Sequence, residues 1–252
     1  MKIAKSPKMM NTSSNLFEEY LRSYNFQYER SDNNDKIFPG KKKPDFLIYT
    51  QHNDIICEIK EFDFEIPCGE PYSPIKEKIN SARIQFKEYK KANIPCVLIL
   101  SNPLNSPVSL SEDWILGAMY GNINMSFSID LPAKMRDLYF GKDGKLRGQN
   151  TTISAVAILE RVIPRDNKIL RKKASQESKF KGNTPKEIAM RVSEICRKHH
   201  NLGNRVLRMR TYHNIFAKNV LNKNIFCKKE DEQYEYDATS YTFILTQLEP
   251  RL

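Results

Sequence analysis

Two short apolar runs in the chain each carry charge: Pro44-Asp45-Phe46-Leu47-Ile48-Tyr49 and Asp54-Ile55-Ile56-Cys57-Glu58-Ile59-Lys60. Each run has the composition of a buried β-strand, and the turn residues His52-Asn53 between them predict a β-hairpin. Side chains alternate between the two faces of a strand, so Glu58 and Lys60 share a face. A buried carboxylate and ammonium are costly unless other groups compensate them, as a divalent cation and an anionic ligand would. Asp45 supplies the second carboxylate that a cation preferring oxygen ligands requires.

The hairpin belongs to a regular order of elements. Apolar residues at helical spacing predict a helix from Ser13 or Ser14 to about Tyr24, and alternation predicts a strand over 26–30. After the hairpin, the pattern predicts a loop, a helix and a fully buried strand, over 65–74, 75–91 and 95–101 respectively. The order is therefore helix, three strands, helix, strand. Because a helix joins the second hairpin strand to the last strand, we expect that pair to be parallel in an α/β core.

The rest of the chain shows weaker patterns. They predict, in order, a helix over 110–120, a strand over 123–129, a hairpin turn over 140–146, a strand over 152–160, a basic loop over 165–181, a helix over 184–200 and a strand over 205–212. No internal repeat or long linker interrupts the sequence. We therefore expect a flexible basic arm over 1–13, a core over 14–130, and a C-terminal α+β elaboration over 131–252 that packs on the core and contains a mobile loop at 165–181.

The composition points to a polyanionic partner. The 252 residues carry a formal net charge of +11, which favours nucleic acid over a membrane surface. No apolar run is long enough to span a membrane, and the first residues lack the apolar centre of a signal peptide. The five cysteines are scattered without metal-ligand spacing, so we expect free thiols, no zinc site and a cytoplasmic location.

Pro44-Asp45, twelve further residues and then Glu58-Ile59-Lys60 resemble the motif of the PD-(D/E)xK nuclease superfamily. The order of predicted elements matches the core of that superfamily, and Gln85-Phe86-Lys87-Glu88-Tyr89 resembles the QxxxY motif of its exonuclease-type branch. The resemblance implies a restriction-endonuclease-like fold, with a mixed central sheet flanked by helices. It also implies an acidic residue from the N-terminal helix at the metal site, for which Glu18 is the choice and Glu19 the alternative.

The resemblance implies a role for each motif residue in phosphodiester hydrolysis. Asp45, Glu58 and the backbone carbonyl of Ile59 would hold Mg²⁺, for which Mn²⁺ can substitute. Lys60 would orient or deprotonate the attacking water and offset charge on the phosphate. Gln85 would bind that water or the phosphate, and Tyr89 would support Gln85 or the sugar-phosphate backbone.

The expected activity is Mg²⁺-dependent cleavage of DNA, supported by basic residues around the expected cleft, namely Lys41, Lys42, Lys43, Lys76, Lys78 and Arg83. Such contacts position a backbone without reading bases, so sequence specificity and exonuclease versus endonuclease action stay open. Two alternatives remain. The chain could be a nucleic-acid-binding module or a subunit of a defence or repair complex without cleavage, or it could be an RNA nuclease. A homodimer is also compatible with the sequence.

Each assigned residue has a structural alternative. Asp45 could belong to a turn after Pro44, and Glu58 with Lys60 could form a structural salt bridge on an edge strand. Gln85 could face solvent, and Tyr89 could be an ordinary core aromatic.

Overall fold

The computed structural model describes residues 12–31, 43–51, 53–62, 72–87, 89, 93–121, 123–127, 135–140, 144–146, 151–162, 164, 205–237 and 242–246. The helices in this part of the chain are α1 (Thr12–Ser23), α2 (Ser73–Phe86) and α3 (Glu112–Tyr120). The strands are β1 (Gln27–Arg30), β2 (Phe46–Tyr49), β3 (Ile55–Glu61), β4 (Cys96–Ser101), β5 (Ile123–Phe127), β6 (Met135–Phe140), β7 (Ala155–Val162), β8 (Val206–His213), β9 (Glu232–Asp237) and β10 (Thr242–Leu245).

Eight strands form one mixed sheet in the order β1-β2-β3-β4-β7-β8-β9-β10, and β5 pairs with β6 separately. β2 is antiparallel to β1 and to β3, which confirms the predicted hairpin. β4 is parallel to β3 on one side and to β7 on the other, as expected for strands joined through helices. The mixed α/β class is therefore confirmed.

Helices cover the central strands on both faces. Ile79, Ala82 and Phe86 of α2 belong to one core cluster with Ile56 and the inward residues of β4, and α3 joins the same cluster. On the opposite face, the ring of Phe17 in α1 meets Phe46 of β2 edge-on at 5.2 Å between centroids. Every residue of β4 is buried, which explains its continuous apolar sequence.

Several element predictions need correction. α2 begins at Ser73 instead of Ile75, because Pro74 fits the first turn of a helix, where its missing N–H costs nothing. The hairpin turn expected over 140–146 is wrong, since β6 pairs with β5 while β7 lies beside β4 in the other sheet. β9 and β10 were not expected as strands.

The chain divides into two compact units, one formed by Met1–Glu160 with Met209–Leu252 and the other by Arg161–Arg208. The first unit holds the site considered below. The described part of the second contains the end of β7 and the start of β8. The basic loop predicted over 165–181 and the helix over 184–200 lie outside the described residues, as does the arm except Thr12 and Ser13, which belong to α1.

No helix among the described residues is both long enough and apolar enough to cross a membrane. The three described cysteines are free thiols, two of them buried in β3 and β4.

Candidate functional site

Asp45 is held between two strands immediately before β2. Its N–H donates to the carbonyl of Cys57 and its carbonyl accepts from the N–H of Ser31, both at 3.1 Å. The ladder pairs Phe46 with Cys57, so the next pair outward places Asp45 opposite Glu58, with both side chains on one face. Asp45 is therefore part of the sheet and not of an isolated turn.

Two short hydrogen bonds connect the site residues. The Asp45 carboxylate accepts a bond from the backbone N–H of Ile59 at 2.7 Å, in place of the bond that a longer β2 would provide. Lys60 Nζ donates to Glu58 Oε1 at 2.6 Å. The Glu58 side chain is only 2% exposed, whereas that of Lys60 is 22% exposed, so the ammonium is the part of the pair that reaches solvent.

The carbonyl of Ile59 is directed towards the same place. Residues along a strand alternate the side to which their N–H and C=O groups point. Cys57 uses its carbonyl, and Ile59 its N–H, on the β2 side of β3. The Ile59 carbonyl therefore points past the end of β2, next to the Asp45 carboxylate.

Two buried oxygen atoms at this site lack a hydrogen-bond donor within the described part of the chain, Glu58 Oε2 and Gln85 Oε1. Gln85 lies on α2, which packs on the Glu58 face of β3, and its amide interacts with the Glu58 carboxyl group. Buried acceptors left unsatisfied cost about 1–3 kcal/mol each. A hydrogen-bond donor or a cation beside Glu58 and Gln85 would satisfy both oxygens.

The electrostatics of Glu58 follow from its burial. Desolvation, and next the nearby carboxylate of Asp45, raise the pKa of Glu58 from 4.5 to about 7, although Lys60 and Gln85 partly offset the rise. A carboxyl group with this pKa is only half ionised near neutral pH, and an added positive charge would restore its ionised form.

Glu18 and Glu19 are not brought to the site. Ser13 of α1 donates from N and Oγ to Glu61, whose side chain points to the face of β3 opposite Glu58 and Lys60. α1 therefore covers the other face of the sheet. There Glu18 accepts hydrogen bonds from Arg22 and Tyr28, both at 2.8 Å, and the expectation of Glu18 as a metal ligand is not supported.

The residues that were expected to contact nucleic acid do not all lie at the candidate site. Lys41 and Lys42 lie outside the described residues, while Lys43 is partly exposed, two residues before Asp45. Tyr89 is 8% exposed and belongs to the hydrophobic core, which corrects its assignment as a substrate contact. The three basic residues of α2, Lys76, Lys78 and Arg83, occupy two different flanks of the helix and are considered below.

A second polar cluster on the same face was missed in the sequence. Lys60 aligns with Leu100 of β4 and Leu100 with Ile158 of β7, so Glu160, two residues further on, lies on the Lys60 face at the same edge. Arg210 of β8 donates to Glu160 at 2.8 Å and to the carbonyl of Leu110 at 3.0 Å. The sequence signal for this cluster was the charge of Glu160 at the end of an apolar strand. Its partner Arg210 could not be inferred, because it lies 50 positions away in the sequence.

The described residues contain no group of three or more His, Cys, Asp and Glu side chains able to hold a metal ion, so any cation here would rely on two carboxylates with carbonyl or amide oxygens.

No family model, no curated protein and no solved structure matches this chain.

Proposed function

We propose that this chain is a metal-dependent nuclease of the restriction-endonuclease-like type that hydrolyses DNA phosphodiester bonds. The observation that carries the proposal is a pair of buried oxygens, Glu58 Oε2 and Gln85 Oε1, that lack a partner in the described part of the chain and lie beside the carboxylate of Asp45. A structural salt bridge between Glu58 and Lys60 would not require a second carboxylate or an amide oxygen at the same place.

The donor set fits a hard divalent cation. Asp45, Glu58, the carbonyl of Ile59 and the amide of Gln85 all offer oxygen, which Mg²⁺ and Mn²⁺ prefer. Each carboxylate already has one oxygen engaged, Asp45 Oδ2 with the Ile59 N–H and Glu58 Oε1 with Lys60. The pair is therefore suited to one ion. When bound, Mg²⁺ would neutralise phosphate charge and make water a stronger nucleophile at neutral pH.

Lys60 is placed to act on the substrate. Its ammonium is held by Glu58 but keeps solvent access, so it can donate to a phosphate oxygen or orient a water for in-line attack. As charge grows on the phosphate during attack, a fixed ammonium stabilises it more than the ground state. Gln85 can position the same water or phosphate through its amide.

Water is the expected nucleophile, because the described thiol that adjoins the site is inert. Cys57 precedes Glu58 but is fully buried, and burial raises its pKa well above the usual value. Its nucleophilic thiolate form is accordingly disfavoured. The proposed reaction has no covalent intermediate.

The substrate class rests on charge. A net charge of +11 favours a polyanion, and phosphate contacts by lysine bind DNA without reading its sequence. DNA is the proposed substrate, and RNA is an outcome that the same assay can report.

The test is cleavage of labelled linear duplex, single-stranded and branched DNA, and of RNA, with Mg²⁺ or with chelator. Asp45→Ala, Glu58→Ala and Lys60→Ala should each reduce cleavage by at least about 100-fold, because each removes charge stabilisation from the reacting phosphate. Glu18→Ala is the matched control, since it removes a carboxylate from the opposite face, and it should keep activity. Circular dichroism checks that each variant is folded.

A second readout is independent of turnover. Mn²⁺ titration followed by electron paramagnetic resonance should give one bound ion per chain in the wild type and none in Asp45→Ala. Cleavage that survives chelator, or wild-type activity in all three site variants, would contradict the proposal. Binding of nucleic acid without cleavage of any substrate would favour a non-catalytic module.

A further inference from the structure

The three basic residues of α2 lie on two flanks of the helix. Lys78 and Gln85 are seven residues apart, and two turns of helix return to nearly the same direction, about 10 Å further along the axis. Lys76 and Arg83 have the same spacing and form a second stripe. Because Gln85 interacts with Glu58, its stripe is the one next to the candidate site.

Lys78 contacts the residue that directly follows β3, the strand that carries the site. Its Nζ lies 5.8 Å from the centre of the Phe62 ring, and Phe62 follows Lys60 by two residues, on the Lys60 face. Glu58 and Gln85 thus face each other near the middle of β3, and Phe62 and Lys78 face each other just beyond its end.

The other stripe faces α3. The ammonium of Lys76 lies 5.2 Å from the centre of the Tyr72 ring, and Tyr72 packs edge-on against Trp114 of α3 at 6.2 Å. Lys76 is 6% exposed, so its side chain is committed to this contact. Arg83, two turns further, is exposed on the same flank, away from β3, so the expectation that it contacts nucleic acid beside the site is not supported.

We propose that Lys78 binds a backbone phosphate other than the one that is attacked, and that the nucleic-acid strand runs from the site past Lys78, in the direction of the end of β3. This inference rests on the proposed function and adds the path of the substrate. Lys78 Nζ lies over the Phe62 ring, four residues along the chain from Glu58, which Gln85 contacts, so the two side chains would meet different phosphates. With about 3.4 Å of rise per nucleotide, Lys78 would contact a phosphate up to about three nucleotides away.

The experiment measures binding without cleavage. A short labelled duplex and a single strand are titrated with protein in chelator over a series of salt concentrations. Lys78→Ala should weaken binding and reduce the slope of log K against log salt by about 0.9 on duplex and about 0.7 on a single strand. Between about 50 and about 200 mM salt, the loss of affinity should therefore be smaller in the variant by a factor of roughly 2.6 on a single strand and roughly 3.5 on duplex. Lys78→Arg should restore the wild-type slope.

Arg83→Ala is the matched control, because it removes the same charge from the same helix on the other flank. It should leave the slope and affinity unchanged. Equal slopes for Lys78→Ala and Arg83→Ala, or a larger effect of Arg83→Ala, would overturn the inference while leaving the proposed function intact. Wild-type protein that binds neither duplex nor single strand would overturn the proposed function itself.

Discussion

Replacing Glu58 by Gln should stabilise the protein in the absence of divalent cations. The raised pKa means that the buried carboxylate is costly in its ionised form. The change from 4.5 to about 7 corresponds to about 3 kcal/mol at about 1.36 kcal/mol per pH unit. That figure already includes the favourable contact with Lys60, and a neutral amide avoids most of the cost. The new amide also adds a donor beside Gln85 Oε1, which lacks one.

The pH dependence follows from the sign of the pKa shift. The folded-state pKa of Glu58 lies above the unfolded value, so the folded state holds the proton more tightly between about 4.5 and about 7. The wild type therefore loses stability as pH rises through this window, and Glu58→Gln lacks that loss. The two proteins should be equally stable near pH 4 and differ by up to about 3 kcal/mol at pH 8.

Thermal unfolding in chelator at several pH values measures the effect. For a chain of this size, about 3 kcal/mol corresponds to a rise in Tm of about 6–12 °C. Added Mg²⁺ should raise the Tm of the wild type but not of Glu58→Gln, because the proposed site needs the Glu58 carboxylate to bind the ion. If the pair with Lys60 is purely structural, the same substitution should instead destabilise the protein by about 3–5 kcal/mol. A lower Tm at pH 8 in chelator would therefore refute the reasoning.

Two further predictions concern stability away from the site. Gly144→Ala should lower the free energy of unfolding by about 3 kcal/mol or more, because its Cβ would lie 2.0 Å from the backbone carbonyl carbon of Tyr120. Gly117→Ala should be near neutral, because its Cβ would meet only the Tyr72 side-chain ring, at 3.1 Å. Urea unfolding followed by the fluorescence of the single tryptophan compares the two variants. Asp231→Ala should cost about 3–5 kcal/mol, since it leaves the buried Tyr20 hydroxyl and the Met209 N–H without their acceptor, and a loss below about 1 kcal/mol by the same method would contradict this.

The sequence predicted those strands and helices that a short stretch of residues is enough to indicate. The hairpin of β2 and β3 follows from two apolar runs separated by turn residues, and the buried β4 follows from an uninterrupted apolar run. β9 reads Glu-Gln-Tyr-Glu-Tyr-Asp, a polar composition that does not indicate a buried strand. Its polar groups are satisfied by other segments. Gln233, for example, donates to the carbonyls of Ile225 and Phe226. Such partners are set by tertiary structure and leave no pattern in the strand itself.

The part of the candidate site that lies on β3 and beside β2 was predictable, because side chains alternate between the two faces of a strand. Alternation placed Glu58 and Lys60 on one face, and the antiparallel register then brought Asp45 opposite Glu58. The position of Glu18 was not predictable in this way. Helical periodicity tells which side of α1 is buried, but it does not tell which face of the sheet that side covers.

The free-energy cost of ionising Glu58 arises in a fully buried part of the sheet. Glu58 lies on a strand paired in parallel with β4, whose residues are all buried, so neither a shift of β3 nor hydration of the carboxylate can relieve it cheaply. Sequences normally avoid such conflicts between local chemistry and global packing, except where function requires them. The rigidity that makes Glu58 costly also holds its free oxygen at a fixed position beside Gln85 and Asp45. Oxygen atoms that are already held in place lose little conformational entropy when a cation binds between them. The cost of burying Glu58 and the proposed activity therefore follow from the same packing.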